Sequence, residues 1–425
     1  MKKNVVFFFS LLIIQQVYSQ QSLPVSTPEA QGFSSERLRR IDKNVQEWIS
    51  KNWMNSALVL ITRNGKVIYN KAYGYDDTEK KTALKNDQLF RLASQTKAIT
   101  SVGIMTLFEE AKLMLDDSVA KFIPEFANIQ VVDKFNEADS TYSTVKAERS
   151  VTIRDLLTHT SGIGYPQIGS KTANAIYAKN NITAGIAEVD GKTIGEAMRK
   201  LGSLPLMHQP GKNWTYGLNS DLLGYVIEVV SGQKLDAFLK AHIFDPLGMK
   251  DTWFYLPKEK QNRLTTLTME DDNGVHPMNE NYKFNGRAMK PNYPAEPGTY
   301  FSGGAGLTAS ITDYAIFLQM LLNGGTYNGK TILSPNSVRM MTSNQIGNLD
   351  FGNEKFGLGF SITTEQSAAN LPVSVGNFSW GGAFGTTYWV DPKEKIVAQL
   401  YTQIWGRRHS VEDAFKVLVY QAMLH

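Results

Sequence analysis

A serine and a lysine three residues apart, Ser94 and Lys97, open an apolar run in which Ile99, Val102, Ile104, Met105, Leu107 and Phe108 leave little polar face. In a helix that spacing puts a hydroxyl and an amine on one side, within reach of each other. The chemistry on offer is nucleophilic. A serine hydroxyl attacks a carbonyl at neutral pH only when a neighbouring base takes its proton. Lysine is such a base only as the neutral amine, a form that burial or a second nearby cation favours. The same Ser-x-x-Lys spacing recurs at Ser118/Lys121, Ser143/Lys146 and Ser231/Lys234, but there among acidic or polar residues or beside the Gly232 that ends a helix. Ser94 differs in following a strand-like approach, Leu89-Phe90, and in opening a buried helix whose positive dipole end favours an alkoxide. Taken alone, Ser94 also reads as a plain helix N-cap.

The elements that must hold this pair are legible on both sides of it. Residues 34–49 carry Leu38, Ile41, Val45 and Trp48 at spacings of three and four, a helical stripe. Two β-rich runs, 57–63 and 66–73, are joined by Asn64-Gly65, a strong hairpin signal, and lead into 87–90 and the Ser94 helix. Residues 113–300 read mainly as helix and loop: a polar surface insertion at 126–149, a short helix within 151–162 ended by Gly162, and a helix after Trp214–Asp221 with Leu223, Val226, Ile227 and Val230 in helical register before Gly232. His159 falls near the end of the first of these and suits the last helical carbonyls better than catalysis. A long polar stretch, 261–297, is the kind of loop that overhangs a site. Strand character returns at 357–362, at 386–390 and at 396–403, and helices are expected at 313–322 and 411–424. Strands at both ends with helices between predict one sheet domain built from both termini, 20–112 with 300–425, carrying a mainly helical insertion at 113–299, with a site in the cleft between.

Composition excludes several classes. At 42% hydrophobic and 20% charged over 425 residues, the chain is an ordinary globular one. Met1-Lys2-Lys3, an apolar core from Val5 to Ile14 and a small-residue end at Ser19 read as a cleavable secretory signal at 1–19, too short to span a bilayer. Its loss lowers the formal charge of +4 by two, so no polybasic surface points to nucleic acid or anionic lipid. The absence of cysteine removes disulfides and thiol catalysis, and the six histidines show no metal spacing. A soluble periplasmic or secreted protein is expected, with no stable membrane insertion, no metal and no cofactor.

Together the segments Phe90–Thr100, Val151–Gly162, Trp214–Gly232, Gly303–Leu322 and Trp380-Gly381-Gly382 resemble the serine β-lactamase and penicillin-binding-protein superfamily, in the class C-like branch that includes family VIII carboxylesterases. The resemblance spans Asn55 to the C-terminus and implies an α+β fold, an antiparallel sheet flanked by helices plus a helical domain. It makes Ser94 the nucleophile, Lys97 its base and Tyr216 the phenol that relays the proton to the leaving group. Trp380-Gly381-Gly382 falls on the Lys-Thr-Gly strand, and the N–H groups of Ser94 and Ala383 become the oxyanion hole. Two positions depart from the pattern. Leu218 stands where lactamases carry asparagine, leaving Asn219 one place on as a substitute, and Trp380 replaces the lysine that faces a carboxylate. Such a cation contributes about 1.5–3 kcal/mol. Both changes lean towards the esterase branch: a small ester or amide substrate, cleaved through an acyl-enzyme. A true β-lactamase or D-alanyl peptidase and a non-turnover acyl-binding sensor are the alternatives. Tyr216 and Trp380 also read as buried aromatics in a core.

Overall fold

A computed structural model describes residues 23–182, 185–186 and 191–424. The export signal expected at 1–19 lies outside the described residues. Helix α1, Ser35–Ser50, begins where Ser34 Oγ accepts from the Arg37 amide at 3.1 Å, and it buries Leu38, Ile41, Val45 and Trp48, the four residues of the stripe. Strands β1, Ser56–Arg63, and β2, Lys66–Asp77, pair antiparallel about Asn64-Gly65. Both turn residues have positive φ, 53° and 73°, the twist that a two-residue hairpin needs.

The main sheet has eight strands and draws on both chain ends. After the short β3, Thr82–Ala83, it is completed by β4, Lys355–Phe356; β5, Ser361–Ile362; β6, Phe378–Gly382; β7, Thr386–Asp391; and β8, Ile396–Tyr401. The spatial order is β4-β5-β6-β7-β8-β1-β2-β3, with antiparallel pairing throughout. Alternation along β1 divides the core. Val59 and Ile61 pack with α1, Trp389 and Phe415, whereas Leu58 and Leu60 pack with Phe90, Tyr314 and Phe317 on the other face. Helices therefore cover both faces, which is why β1 is buried along nearly its whole length. The helix carrying Lys97, α2 (Thr96–Glu109), lies in the second layer and is buried on all sides from Thr96 to Leu107.

The stretch 113–299 is less helical than its sequence implies. Residues Gln130–Phe135 and Tyr142–Lys146 form a hairpin within the expected surface insertion. Its second strand is exposed at every position, so no apolar alternation marked it. Helix α3, Ile153–Leu157, stops well before Gly162. Its reversal comes at His159, which adopts φ 58° beside the Thr160 amide bond to Asp155 O. Helix α4, Asn219–Ser231, ends at left-handed Gly232 as expected. The 261–297 stretch holds two hairpins, Thr268–Asp271 with Gly274–Pro277 and Lys283–Phe284 with Arg287–Ala288. Helices α5, Ile311–Leu322, and α6, Glu412–Tyr420, complete the two outer layers. No helix among the described residues is long and apolar enough to cross a membrane.

Candidate active site

Ser94 sits in a single tight turn, Ala93–Gln95, between the strand Leu89–Arg91 and α2. Ala93 is buried at φ 46°, a left-handed conformation that costs an alanine about 1–2 kcal/mol. The surroundings hold it there. Tyr314 Oη donates to Gln95 O at 2.9 Å, Tyr401 Oη to Gln95 Oε1 at 2.7 Å, and the Leu92 amide to Leu307 O at 2.9 Å. The N-cap of α2 is Gln95, without a side-chain cap bond, so the Ser94 hydroxyl is not spent on capping.

That hydroxyl instead takes two donors from opposite elements. Lys97 Nζ lies 3.1 Å and Tyr216 Oη 2.6 Å from Ser94 Oγ. Lys97 is almost fully buried and also donates to Gly304 O at 2.7 Å; its Nζ stands 4.7 Å from the Tyr216 ring centre and 5.7 Å from that of Tyr165. Tyr216 is fixed by its backbone and by its ring. The Thr215 amide donates to His159 O at 2.8 Å and the Leu218 amide to Gly164 O at 3.3 Å, while a Cβ on Gly217 would meet Ile163 O at 2.0 Å. Trp214 stacks on the phenol at 5.9 Å, and Trp380, Tyr165 and His159 surround it at 5.7, 5.3 and 5.0 Å.

His159 serves that packing. Burial, and secondarily the Lys97 charge, hold its imidazole well below the ordinary histidine range, and its Nδ1 accepts from Asn219 Nδ2 at 2.9 Å. Asn219, the candidate for substrate recognition, is placed elsewhere. It is wholly buried, bonded to His159 and to Ser161 Oγ, and does not line the cavity. Starting α4 one residue after Leu218 turns the amide towards α3, away from Ser94.

The strand β6 runs along the other side of Ser94. Gly382 approaches the Leu92 carbonyl so closely that a Cβ would stand 2.2 Å from that oxygen and 2.3 Å from Thr386 Oγ1. Among the described residues, neither the Ser94 nor the Ala383 amide donates to a backbone carbonyl outside the regular elements, and both residues border the cavity. Trp380, Gly381, Gly382 and Ala383 all line it.

The cavity over Ser94 measures about 450 Å³, and its apolar walls come from Ile168, Ile186, Phe284, Met289, Trp380 and Trp405. Its charged liners are engaged: the Arg287 guanidinium donates to Ile182 O at 2.7 Å, and Glu412 pairs with Arg407. Phe284 sits edge-on to Trp405 at 4.9 Å, and Asn285 Nδ2 ties its hairpin to Gln167 O at 2.8 Å. The 261–297 stretch thus does overhang the site. The sequence reading named the stretch but missed Phe284 and Met289, although Asn285-Gly286, with φ 49° and 83°, is the same hairpin signal as Asn64-Gly65. It also missed Tyr165, whose phenol is held in its neutral form chiefly by burial. Among the described residues no group of three His, Asp or Glu could hold a metal ion.

Known proteins share this architecture. The beta-lactamase family model matches residues 41–422. Esterase EstB of Burkholderia gladioli is 30% identical over 364 residues, which is 83% of this chain and 86% of EstB. A putative D-alanyl-D-alanine carboxypeptidase of Escherichia coli K12 is 29% identical over 91% of this chain and 86% of its own length. The solved structure of EstCE1, described as a hydrolase with promiscuous acyltransferase activity, superposes with a TM-score of 0.77 at 26% identity, covering 92% of this chain and 99% of that one. With Lys97 and Tyr216 both on the hydroxyl of Ser94, which borders the cavity, and the family model spanning nearly the whole described chain, this protein belongs to the beta-lactamase family and is a serine hydrolase.

Proposed function

We propose that the chain is an exported esterase that hydrolyses small uncharged esters through an acyl-enzyme on Ser94. Lys97 takes the Ser94 proton as Oγ bonds to the ester carbonyl carbon. The N–H groups of Ser94 and Ala383 receive the oxyanion, and Tyr216 passes its phenolic proton to the departing alkoxide as the Lys97 ammonium returns one to the phenolate, leaving Lys97 and Tyr216 neutral beside the acyl-enzyme. Water then enters by the same route in reverse and releases the acid. The observation that carries the reading is the double contact on Ser94 Oγ, from Lys97 and Tyr216, at the floor of a cavity whose walls are apolar and in which Trp380 holds the lysine position of the lactamases. An uncharged substrate leaves no carboxylate unpaired there, whereas a β-lactam or a peptide C-terminus does. The pattern of residues 1–19 supports export.

The test is kinetic. Purified protein should turn over p-nitrophenyl acetate and butyrate with kcat/KM at least about 100-fold above that for a cephalosporin or a D-alanyl-D-alanine peptide, the size of a missing charge contact. A preference for either of the latter would reject the esterase reading in favour of a lactamase or peptidase. A second expectation concerns β6. Gly382→Ala forces a methyl into the Leu92 carbonyl, so the strand must move off the Ser94 turn. Its kcat on p-nitrophenyl acetate should fall on the order of 100-fold, the loss typical of one oxyanion donor. Gly381→Ala, whose nearest atom is Thr386 O at 3.2 Å, should fall less.

A further inference from the structure

Asp221 takes no part in the steps above, yet it lies in the first turn of α4, five residues after Tyr216, with no exposed surface. Its Oδ1 accepts from Ser302 Oγ at 2.6 Å. Its Oδ2 has no hydrogen-bond partner among the described residues, and neither does the buried hydroxyl of Tyr300. Burial pushes the carboxyl up to about 6, while the Ser302 hydroxyl, the Lys97 charge and the Gly304 amide act in the opposite direction. The groups that face it are Lys97 from α2, Tyr165 from the loop after α3, and Tyr300 and Ser302 from the loop before α5. Of these, only Lys97 can carry a positive charge.

One backbone turn links the two. Lys97 Nζ donates to Gly304 O at 2.7 Å, and Thr100 Oγ1 from the same helix donates to Gly303 O at 2.7 Å. On its other side the turn is held by Ser302, whose Oγ receives the Ala305 amide at 3.0 Å while donating to Asp221. The fit has no slack: a Cβ on Gly304 would stand 2.4 Å from Asp221 Oδ2, and one on Gly303 would stand 2.4 Å from Ser220 O. A carboxylate buried without a full set of donors is costly, and a hydrogen-bonded amide would fill the place more cheaply unless the charge itself is used.

We propose that Asp221 is a positioning residue for the hydrolysis: through the Ser302–Gly304 turn it holds the Lys97 amine on Ser94, and as a fixed counter-charge it stabilises the ammonium formed when Lys97 takes the Ser94 proton. In that step the Ser94 O–H bond breaks, an N–H bond forms on Lys97, and Oγ bonds to the carbonyl carbon. The inference rests on the reading of Lys97 as the base. If Lys97→Met retains activity, that reading fails. If Lys97→Met is inactive and Asp221→Asn is not, only the role of Asp221 fails.

The experiment compares Asp221→Asn and Ser302→Ala with the wild type on p-nitrophenyl acetate from pH 4.5 to pH 9, with Tm measured across the same range. Asp221→Asn should lower kcat by about 10- to 100-fold with KM changed less than about threefold, because the lost interaction is made to a charge present only along the reaction. The acid limb of kcat/KM should move to lower pH by more than about half a unit, since removing a negative charge favours the neutral form of a neighbouring cation. Ser302→Ala keeps the carboxylate, so its acid limb should stay where the wild type has it. Stability provides the independent readout. A carboxyl raised in the folded state is protonated in both states below about pH 4, and its ionisation then weakens folding as pH rises through about 6. Asp221→Asn should therefore gain Tm relative to the wild type between pH 4.5 and pH 8. An unchanged acid limb, or a loss of Tm at pH 8 that accompanies the loss of rate, would overturn the proposal and leave Asp221 a merely structural residue.

Discussion

Ser94→Ala should lower ester turnover by roughly 10⁴-fold or more while leaving Tm within a few degrees of the wild type. The size follows from the loss of covalent catalysis, since what survives is the oxyanion hole and binding alone. The small effect on stability follows from the surroundings. Ser94 Oγ is not a helix cap, and without it Lys97 keeps its bond to Gly304 O. A fluorophosphonate probe gives a direct check. The wild type should be labelled once per chain and the variant not at all, with many turnovers of substrate per labelled site before inhibition. Undiminished labelling of Ser94→Ala would move the nucleophile elsewhere, and labelling without turnover would turn the enzyme into an acyl-binding sensor.

Lys97→Met should have the next largest effect, a fall of about 10³- to 10⁴-fold in kcat/KM. Methionine preserves most of the volume of a side chain that is almost wholly buried, so the change removes an amine rather than a packing element. Lys97→Arg should not rescue it. A guanidinium stays protonated and cannot accept the Ser94 proton, and its fork is too large for a site closed by Gly304 O and two tyrosine rings. Tyr216→Phe separates the two proton carriers. Its 2.6 Å contact with Ser94 Oγ would be lost while Lys97 remains, and its defect should be largest for esters with poor leaving groups, which need the proton most. Equal defects for good and poor leaving groups would place the Tyr216 hydroxyl outside the proton path.

The elements that fold locally were readable from their own residues, whereas Tyr216, Trp380 and Ala383, distant from Ser94 in the chain, were reached only through the family resemblance. The α1 stripe, the Asn64-Gly65 hairpin and Gly232 at the end of α4 each depend on neighbours in sequence, and each forms where the pattern places it. The hairpin at 130–146 escaped because an exposed strand has no apolar face to alternate. The end of α3 was misplaced because a left-handed histidine, stabilised by contacts from α4, did the work expected of a glycine. The resemblance offered Asn219 as a substitute for the asparagine missing at Leu218, but one residue along the first turn of a helix rotates a side chain by about 100°, and Asn219 meets His159.

Sequence alone determined the Ser94–Lys97 pairing and the family pattern, because a three-residue helical spacing sets the two side chains on one side whatever the rest of the chain does. Only the tertiary structure decided what surrounds them. Tyr216 reaches Ser94 from 122 residues away, Gly304 reaches Lys97 from 207, and the apolar walls come from a hairpin, a strand and a loop that share no local pattern. Contacts of that range are set by how α2, α4 and β6 pack against one another, a collective property of the core that no short stretch of the chain encodes.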